Sequence, residues 1–230
     1  MVLSETSMNL NRFEDNGFAV LPQIFTDDAC AEISFSIDQV YNGVGCRSLL
    51  DFSWCKDLAQ TIRQHPLIER SLPHDPVAVQ CTYFEKSQEQ NWLVPIHQDL
   101  SIPVQEKVDH PTLTGWSEKE GSLFVQPPDT VLREMVAVRL HLDECGVDDG
   151  PLRIVPGSHR AGRLSNEMAL ATRDNSGEVV CTVAKGGALL LRPLVLHASS
   201  KAAGHSRRRV LHFVFGPRTL PLGLRWQHAV

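Results

Sequence analysis

The segment 136–164, VAVRLHLDECGVDDGPLRIVPGSHRAGRL, contains two short runs rich in branched apolar residues. The first run belongs to a predicted strand from Met135 to Leu142, and the second to a predicted strand from Leu152 to Val155. An acidic loop separates them, and Gly150-Pro151 and Pro156-Gly157 supply the backbone geometry that turns between strands require. The segment therefore predicts consecutive β-strands joined by turns.

The same pattern continues on both sides of this segment, over about residues 77–216. Short β-branched and aromatic runs, separated by Gly, Pro and Asp clusters, are typical of an all-β sandwich or barrel. The further predicted strands are Val77 to Phe84, Val179 to Val183, Ala188 to Leu191 and Arg209 to Phe215. The sequence shows no βαβ alternation, glycine-rich phosphate loop or internal repeat. We therefore expect a mainly β core.

The amino-terminal part, about residues 9–72, has helical character. Thr26-Asp27-Asp28 offers an N-cap, and apolar residues then recur every three or four positions up to Val40, which predicts a helix. A second helical stretch is predicted from about Trp54 to Ser71, where Leu58, Ile62 and Leu67 recur on a similar period. Because 230 residues suffice for one well-buried core, we expect a single domain spanning residues 1–230.

The composition excludes several classes of protein. A formal net charge of -5 argues against a surface that neutralises phosphates, so we expect no nucleic-acid partner. The first twenty residues lack the apolar core of a secretory signal, and no run of about 18 apolar residues occurs, so a cytoplasmic protein without a membrane partner is expected. The six cysteines form no CxxC pair, which favours reduced structural thiols.

Two His-x-Asp triplets could begin a metal site, His97-Gln98-Asp99 and His141-Leu142-Asp143. Residues two apart on a strand share a face, so the spacing leaves both triplets open. Two histidines and one carboxylate on one face of an octahedron leave three positions free, as in non-haem iron(II) oxygenases. His197, where an apolar run turns polar, is the candidate third ligand.

Three consecutive arginines, Arg207, Arg208 and Arg209, follow His197 closely and lead into a predicted strand. A 2-oxo acid could occupy two of the free metal positions and dioxygen the third. The far carboxylate of such an acid would then require a buried cation, and the planar fork of arginine pairs bidentately with a carboxylate. The arginine run is therefore a candidate co-substrate site.

The segment quoted first closely resembles the phytanoyl-CoA dioxygenase family of Fe(II)/2-oxoglutarate-dependent oxygenases. Members of that family carry an LDD-type strand end, an acidic loop, then GPL and PGSH. Three further blocks resemble the family in the same order: FEDNGFAVLPQIFTDDACAEI (13–33), IHQDL (96–100) and LVLHASS (194–200). The resemblance spans roughly Phe13 to Phe215, nearly the whole chain.

The resemblance implies a double-stranded β-helix (jelly roll, cupin-like) core with flanking N-terminal α-helices. It also implies that His97, Asp99 and His197 hold Fe(II), because His141 and Asp143 fall within the block that matches the LDD strand. By the same matching, Arg208 takes the far carboxylate of 2-oxoglutarate. Arg209 remains the alternative, since strand parity only places the two arginines on opposite faces.

The activity implied is that of an Fe(II)- and 2-oxoglutarate-dependent oxygenase. It would use O2 to hydroxylate a small organic substrate, with release of succinate and CO2. Related halogenating enzymes lack the carboxylate ligand, so Asp99 counts against halogenation, whereas desaturation and other oxidative outcomes stay open. The alternative is a cupin-like metal-binding protein with non-redox chemistry or no catalysis, which would have no use for a buried arginine.

Five further residues are candidates for the substrate or co-substrate pocket. Gln80 and Thr82 alternate along a strand leading toward His97, and Arg139 and His141 share one strand face and could contact an anion. Trp116 lies in the Pro- and Gly-interrupted segment from Leu100 to Glu134, which we expect to help enclose a substrate rather than to form one regular element. Each could equally have a purely structural role.

Overall fold

The computed structural model describes residues 12–41, 43, 45–87, 91–204 and 207–230. Residues 9–11 of the predicted helical part lie outside this range. The amino-terminal part contains, in order, α1 (Phe13–Asn16), β1 (Phe18–Leu21), α2 (Asp27–Val40), β2 (Gly45–Cys46), a 3-10 helix (Leu49–Asp51), α3 (Ser53–Arg63) and α4 (Pro66–Glu69). None of the helices in the described ranges is long and apolar enough to cross a membrane.

The remainder of the chain is mainly strand. It contains β3 (Pro76–Lys86), β4 (Val94–His97), β5 (Ile102–Val104), β6 (Thr114–Lys119), β7 (Ser122–Gln126), α5 (Asp129–Glu134), β8 (Val136–His141), β9 (Leu152–Ile154), a 3-10 helix (Ser158–Ala161), α6 (Asn166–Ser176), β10 (Val179–Cys181), β11 (Ala188–Leu191), β12 (His197–Ser199) and β13 (Arg208–Pro217). The six predicted strands are all present, with each end within two residues of its predicted position.

The strands form three antiparallel sheets. A six-stranded sheet has the order β1-β11-β8-β13-β3-β2, a four-stranded sheet the order β10-β9-β12-β4, and a three-stranded sheet the order β5-β7-β6. The two larger sheets face each other, since Lys86 on β3 donates a hydrogen bond from Nζ to Ser199 Oγ on β12 at 3.0 Å. The predicted double-stranded β-helix with amino-terminal helices is confirmed.

The two faces of the six-stranded sheet differ in chemistry because side chains alternate along each strand. The outer face is apolar and packs against the helices in one buried cluster, which includes Tyr83, Leu140, Leu211 and Phe213 from the sheet and Ile37, Leu58 and Ile62 from α2 and α3. The inner face carries buried polar side chains, among them Thr82, Lys86, Arg139, Arg208 and His212. The helices thus shield one face and leave the other for a site.

The helix predictions are partly right. The helix α2 begins where the sequence indicates, and the Thr26 hydroxyl accepts a hydrogen bond from the Ala29 backbone N–H at 3.2 Å. The stretch from Trp54 to Ser71 is mainly helical, as predicted, but it is divided into two helices, α3 and α4. Proline disfavours helical geometry in the residue before it, and His65, which precedes Pro66, is extended.

The segment from residue 100 to residue 134 contains the three-stranded sheet and the helix α5. None of these elements was predicted individually from the sequence. The hairpin between β6 and β7 turns at Glu120 and Gly121, whose φ angles of 51° and 76° are both positive. Two consecutive residues with positive φ are typical of the type I′ turn, which matches the twist of the flanking strands. The short strands β4 and β12 were also missed.

The apolar outer face should account for much of the stability. We expect Phe213→Ala to lower the free energy of unfolding by about 3 to 5 kcal/mol, because Phe213 is fully buried between sheet and helices. Phe35→Ala is the matched control, since Phe35 lies on α2 with 66% of its surface exposed, and it should cost less than about 0.5 kcal/mol. Urea unfolding monitored by circular dichroism measures both values. Equal losses would contradict this account of the core.

Candidate metal centre

Three side chains with metal-binding atoms meet at the edge of the four-stranded sheet. His97 ends β4, Asp99 follows two residues later, and His197 begins β12, which pairs antiparallel with β4 so that His97 and His197 are register partners. One ligand atom from each residue lies within 4.8 Å of the others. Among the residues that the structure describes, this is the only group of three or more His, Cys, Asp or Glu with such an arrangement.

Backbone carbonyl groups orient both imidazole rings. The Nδ1 atom of His97 lies 2.9 Å from the carbonyl oxygen of Pro95, and the Nδ1 atom of His197 lies 3.0 Å from that of Val195. A carbonyl oxygen only accepts, so each Nδ1 carries the proton and donates it. The unprotonated Nε2 atoms face Asp99, each 3.8 Å from a carboxylate oxygen. This tautomer is the one that binds a metal through Nε2.

Gln98, the middle residue of the triplet, fixes this part of the chain through hydrogen bonds on the side away from the metal-binding residues. Its side chain is buried and donates to the carbonyl oxygens of Gly162 and Leu194 at 2.8 and 2.7 Å, while its Oε1 accepts from the Leu164 N–H at 2.9 Å. The Asp99 N–H donates to the Pro193 carbonyl at 2.9 Å. Because successive side chains alternate in direction, His97 and Asp99 lie on one side of the chain, and the hydrogen-bonded Gln98 lies on the other.

The protonation states at this centre suit a cation. Burial raises the pKa of Asp99, but His197, His212 and His97 act in the opposite direction, and the net pKa is below the ordinary value. Burial lowers the pKa of His197. An ionised carboxylate and neutral imidazoles are the forms that metal ligation requires. The three residues can therefore hold a divalent metal ion.

A third histidine lies beside the same carboxylate. His212, in the middle of β13, places its Nε2 atom 4.0 Å from Asp99 Oδ2. Its backbone neighbours across the sheet are Arg139 on β8 and Thr82 on β3. Burial, followed by the neighbouring Arg139 guanidinium, lowers the pKa of His212 to about 3. His212 was not predicted as a site residue, although its position on the same strand face as Arg208 is a usable signal.

The three consecutive arginines have different environments. Arg209 forms a two-point ion pair with Asp143, at 2.8 and 2.7 Å, and Arg207 pairs with Glu85. Arg208 points to the inner face, is buried, and donates from Nη1 to the Gly150 carbonyl at 2.6 Å. Its Nε atom is buried without a hydrogen-bond partner in the described part of the chain. Arg208 therefore has donor capacity available for a ligand.

The second His-x-Asp triplet is arranged differently. Asp143 lies beyond the end of β8, where both of its oxygens accept hydrogen bonds from Arg209. His141 is buried on the inner face, and neither ring nitrogen has a hydrogen-bond partner among the described residues. Burial lowers the pKa of His141 well below its usual value, and Arg139 and Arg208 lower it further. The structure thus separates the two members of this triplet.

The inner face concentrates buried positive charge. Lys86, Arg139 and Arg208 are each at most 7% exposed, and none has a carboxylate partner within ion-pair distance in the described ranges. Burial, and then repulsion by Arg208, lower the pKa of Lys86 to about 8 and that of Arg139 to about 10. A buried unpaired cation is costly. This face is therefore suited to an anionic ligand.

A cavity of about 330 Å³ opens beside the metal-binding side chains. Its lining includes His97, Asp99 and His212, together with Gln80 and Thr82, where the Gln80 amide donates a hydrogen bond to the Thr82 hydroxyl at 2.8 Å. Its lining also includes residues of the segment 100–134, among them Ile102, Pro103, Lys119, Phe124 and Gln126. Trp116 is not among the lining residues that the structure describes; it packs against the apolar cluster that contains Leu113 and Val125.

The phytanoyl-CoA dioxygenase (PhyH) family model matches residues 13–210. No curated protein sequence matches the chain. Among solved structures, HygX from Streptomyces hygroscopicus with iron bound is 18% identical, with a TM-score of 0.65, and the match covers 99% of this chain and 98% of HygX. HygX has also been solved with nickel and 2-oxoglutarate bound.

Two further solved structures share the fold. SnoK, a non-heme alpha ketoglutarate dependent carbocyclase from nogalamycin biosynthesis, is 13% identical, with a TM-score of 0.69 and coverage of 94% of this chain and 84% of its own. EctD from S. alaskensis is 16% identical, with a TM-score of 0.68 and coverage of 100% and 88%. At these identities the similarity establishes a common architecture.

Metal binding should depend on the triplet that contains His97 and Asp99, together with His197, and not on the triplet that contains His141 and Asp143. We expect the protein to bind one Fe(II) per chain under anaerobic conditions, and His97→Ala, Asp99→Ala and His197→Ala each to abolish binding, because each removes one ligand. His141→Ala and Asp143→Ala are the matched controls and should retain one metal ion. Metal analysis after gel filtration measures the stoichiometry. Loss of metal in the controls with retention in His97→Ala would reverse the assignment.

Proposed function

The chain belongs to the phytanoyl-CoA dioxygenase family, and we propose that it is an Fe(II)- and 2-oxoglutarate-dependent oxygenase that hydroxylates a small organic substrate. The observation that carries this proposal is the combination of the group His97, Asp99 and His197 with a buried, incompletely paired Arg208 on the inner face of the barrel. Either feature alone suits several functions, whereas both together suit a metal-chelating dicarboxylate.

The residues fit the proposed metal and co-substrate. Two Nε2 atoms and one carboxylate provide a ligand set for iron(II) that leaves positions for other ligands. The unpartnered Nε of Arg208 is a buried donor that an incoming carboxylate can satisfy. When bound, iron and 2-oxoglutarate supply oxidation by O2, in which one oxygen atom enters the substrate, the other enters succinate, and CO2 is released.

Arg208 is proposed to determine the choice of co-substrate. A 2-oxo acid that chelates the metal carries its far carboxylate into the barrel, where an unpaired charge would be costly. The guanidinium offers a charge-assisted contact there. Arg207 and Arg209 are less suitable because each is already engaged by a carboxylate. The cupin-like alternative with non-redox chemistry gives no reason for a buried arginine at this place.

The proposed substrate is a small molecule that enters the cavity of about 330 Å³, near the lower end of the range for ligand pockets. The wall combines the amides of Gln80 and Gln126 with the apolar Phe84 and Phe124, which suits a substrate with both polar and apolar parts. HygX, which shares this fold, has been solved with hygromycin B bound. Asp99 as a ligand favours hydroxylation over halogenation.

The first test concerns Arg208. We expect Arg208→Ala to raise the 2-oxoglutarate concentration required for half-maximal succinate formation by orders of magnitude, because losing one partner of a buried charge pair costs about 3 to 5 kcal/mol. Fe(II) binding should persist. Arg208→Lys should restore activity only in part, since lysine keeps the charge and loses the fork.

The neighbouring arginines provide the controls for this test. Arg207→Ala, which removes a half-exposed ion pair with Glu85, should change the requirement for 2-oxoglutarate little. Normal turnover in Arg208→Ala together with loss in Arg209→Ala would move the co-substrate role to Arg209. Normal turnover in both variants would remove this role from β13.

The segment 100–134 is proposed to enclose the substrate, because its residues form one wall of the cavity beside His97 and Asp99. Phe124→Ala should leave succinate formation intact but lower the ratio of oxidised product to succinate, since a looser cavity holds the substrate less well. Trp116→Ala, in the same segment but away from the described cavity lining, serves as the control. An unchanged ratio in Phe124→Ala would contradict the proposed role.

A further inference from the structure

Three histidines surround Asp99 at nearly equal distances, and distance alone does not separate ligand from neighbour. The Nε2 atoms of His97 and His197 lie 3.8 Å from carboxylate oxygens of Asp99, and that of His212 lies 4.0 Å away. All three could face one metal ion. The hydrogen bonds on the far side of each ring distinguish them.

The Nδ1 atom of His212 faces a hydrogen-bond donor, whereas the Nδ1 atoms of the other two histidines face acceptors. The Nδ1 atoms of His97 and His197 face carbonyl oxygens, which accept. The Nδ1 atom of His212 lies 3.2 Å from Nη1 of Arg139, a guanidinium that only donates. A proton on Nδ1 would point at another donor. The ring of His212 is therefore held as the tautomer with its proton on Nε2, on the side of Asp99.

The sheet and one aromatic ring fix this contact. Arg139 and His212 are register partners on the adjacent strands β8 and β13, and both are buried. The Arg139 guanidinium carbon lies 5.5 Å from the ring centre of Phe84, and the His212 ring meets the same phenyl ring edge-on at 6.2 Å. Arg139 has no carboxylate ion-pair partner in the described residues. The imidazole is the acceptor that the structure offers it.

We propose that Arg139 and His212 form a positioning pair for the metal centre. Arg139 holds the proton of His212 on Nε2, which keeps His212 out of the ligand set and aims an N–H donor at Asp99 from the cavity side. His212 lines the cavity and faces Asp99 Oδ2, so this donor can orient the carboxylate while the Nε2 atoms of His97 and His197 bind the metal. This role rests on the proposed metal-dependent function, whereas the tautomer itself does not.

The tautomer is measured directly in the metal-free protein. Nitrogen-15 NMR of histidine-labelled protein at neutral pH should show His212 with an unprotonated Nδ1 and a protonated Nε2, the reverse of His97 and His197. Arg139→Met should remove this preference and shift both ring nitrogens of His212. Arg208→Met removes another buried inner-face arginine and should leave the His212 signals unchanged. A protonated Nδ1 in the unaltered protein would overturn the proposal without reference to any variant.

Metal affinity tests the positioning role. His212→Leu and Arg139→Met should each still bind one Fe(II) or Co(II) per chain, with affinity lowered about 10- to 100-fold, the usual effect of losing a group that orients a ligand. His212→Gln should recover most of the affinity, because Arg139 can donate to its amide oxygen and leave the amide N–H facing Asp99. Loss of metal binding in His212→Leu as complete as in His97→Ala would make His212 a ligand and overturn the proposal.

The two hypotheses fail in distinguishable ways. An unaltered protein that binds no Fe(II) or Co(II) would overturn the proposed function, while the NMR signals would still decide the tautomer. Normal metal affinity in both His212→Leu and Arg139→Met would overturn the positioning role and leave the proposed oxygenase activity standing.

Discussion

The cations buried on the inner face of the six-stranded sheet are the constraint on which the rest of the site depends. Lys86, Arg139 and Arg208 are held there by strand alternation, since the opposite face must be apolar to pack against the helices. Burial lowers the pKa of Arg139, whereas the Asp99 carboxylate, on the loop after β4, acts in the opposite direction. Unpaired buried charge is unfavourable, so the barrel interior favours occupants that bring negative charge. A divalent metal, Asp99, a dicarboxylate and Arg208 together have no net charge.

The remaining two cations have different compensations. Lys86 donates to Ser199 Oγ and to the Ser200 carbonyl, and burial brings its pKa to about 8, so that the neutral form costs little. Arg139 donates to an imidazole nitrogen instead of a carboxylate. A guanidinium used in this way influences the metal centre through His212 without contributing a ligand. The site thus combines a region that binds metal and co-substrate with one that orients Asp99.

Much of the fold could be predicted from the sequence because its signals are local. Short β-branched and aromatic runs between Gly, Pro and Asp clusters predicted six strands, and Thr26 marked the start of α2. The strands β4 and β12 are four and three residues long, and β4 contains Pro95, so they are recognisable as strands only from their pairing, β4 with β12 and β12 also with β9. The break at Pro66 has a local signal, because proline disfavours helical geometry in the residue before it, but the apolar periodicity continues across it to Leu67. The hairpin of β6 and β7 depends on positive φ at Glu120, which sequence preference does not indicate.

The site was less predictable because its decisive contacts are long-range. Local spacing left two His-x-Asp triplets open, and the ion pair of Asp143 with Arg209, 66 residues away, is visible only in the folded chain. This ion pair shows that Arg209 faces outward, and strand alternation then turns the neighbouring Arg208 inward.

The most direct test of the account is the affinity of the anaerobic Fe(II)-loaded protein for three acids, measured by calorimetric titration. 2-Oxoglutarate should bind far more tightly than 2-oxobutanoate, which lacks the far carboxylate, and than glutarate, which lacks the 2-oxo group. Equal affinities for all three acids, or no binding of 2-oxoglutarate, would contradict it.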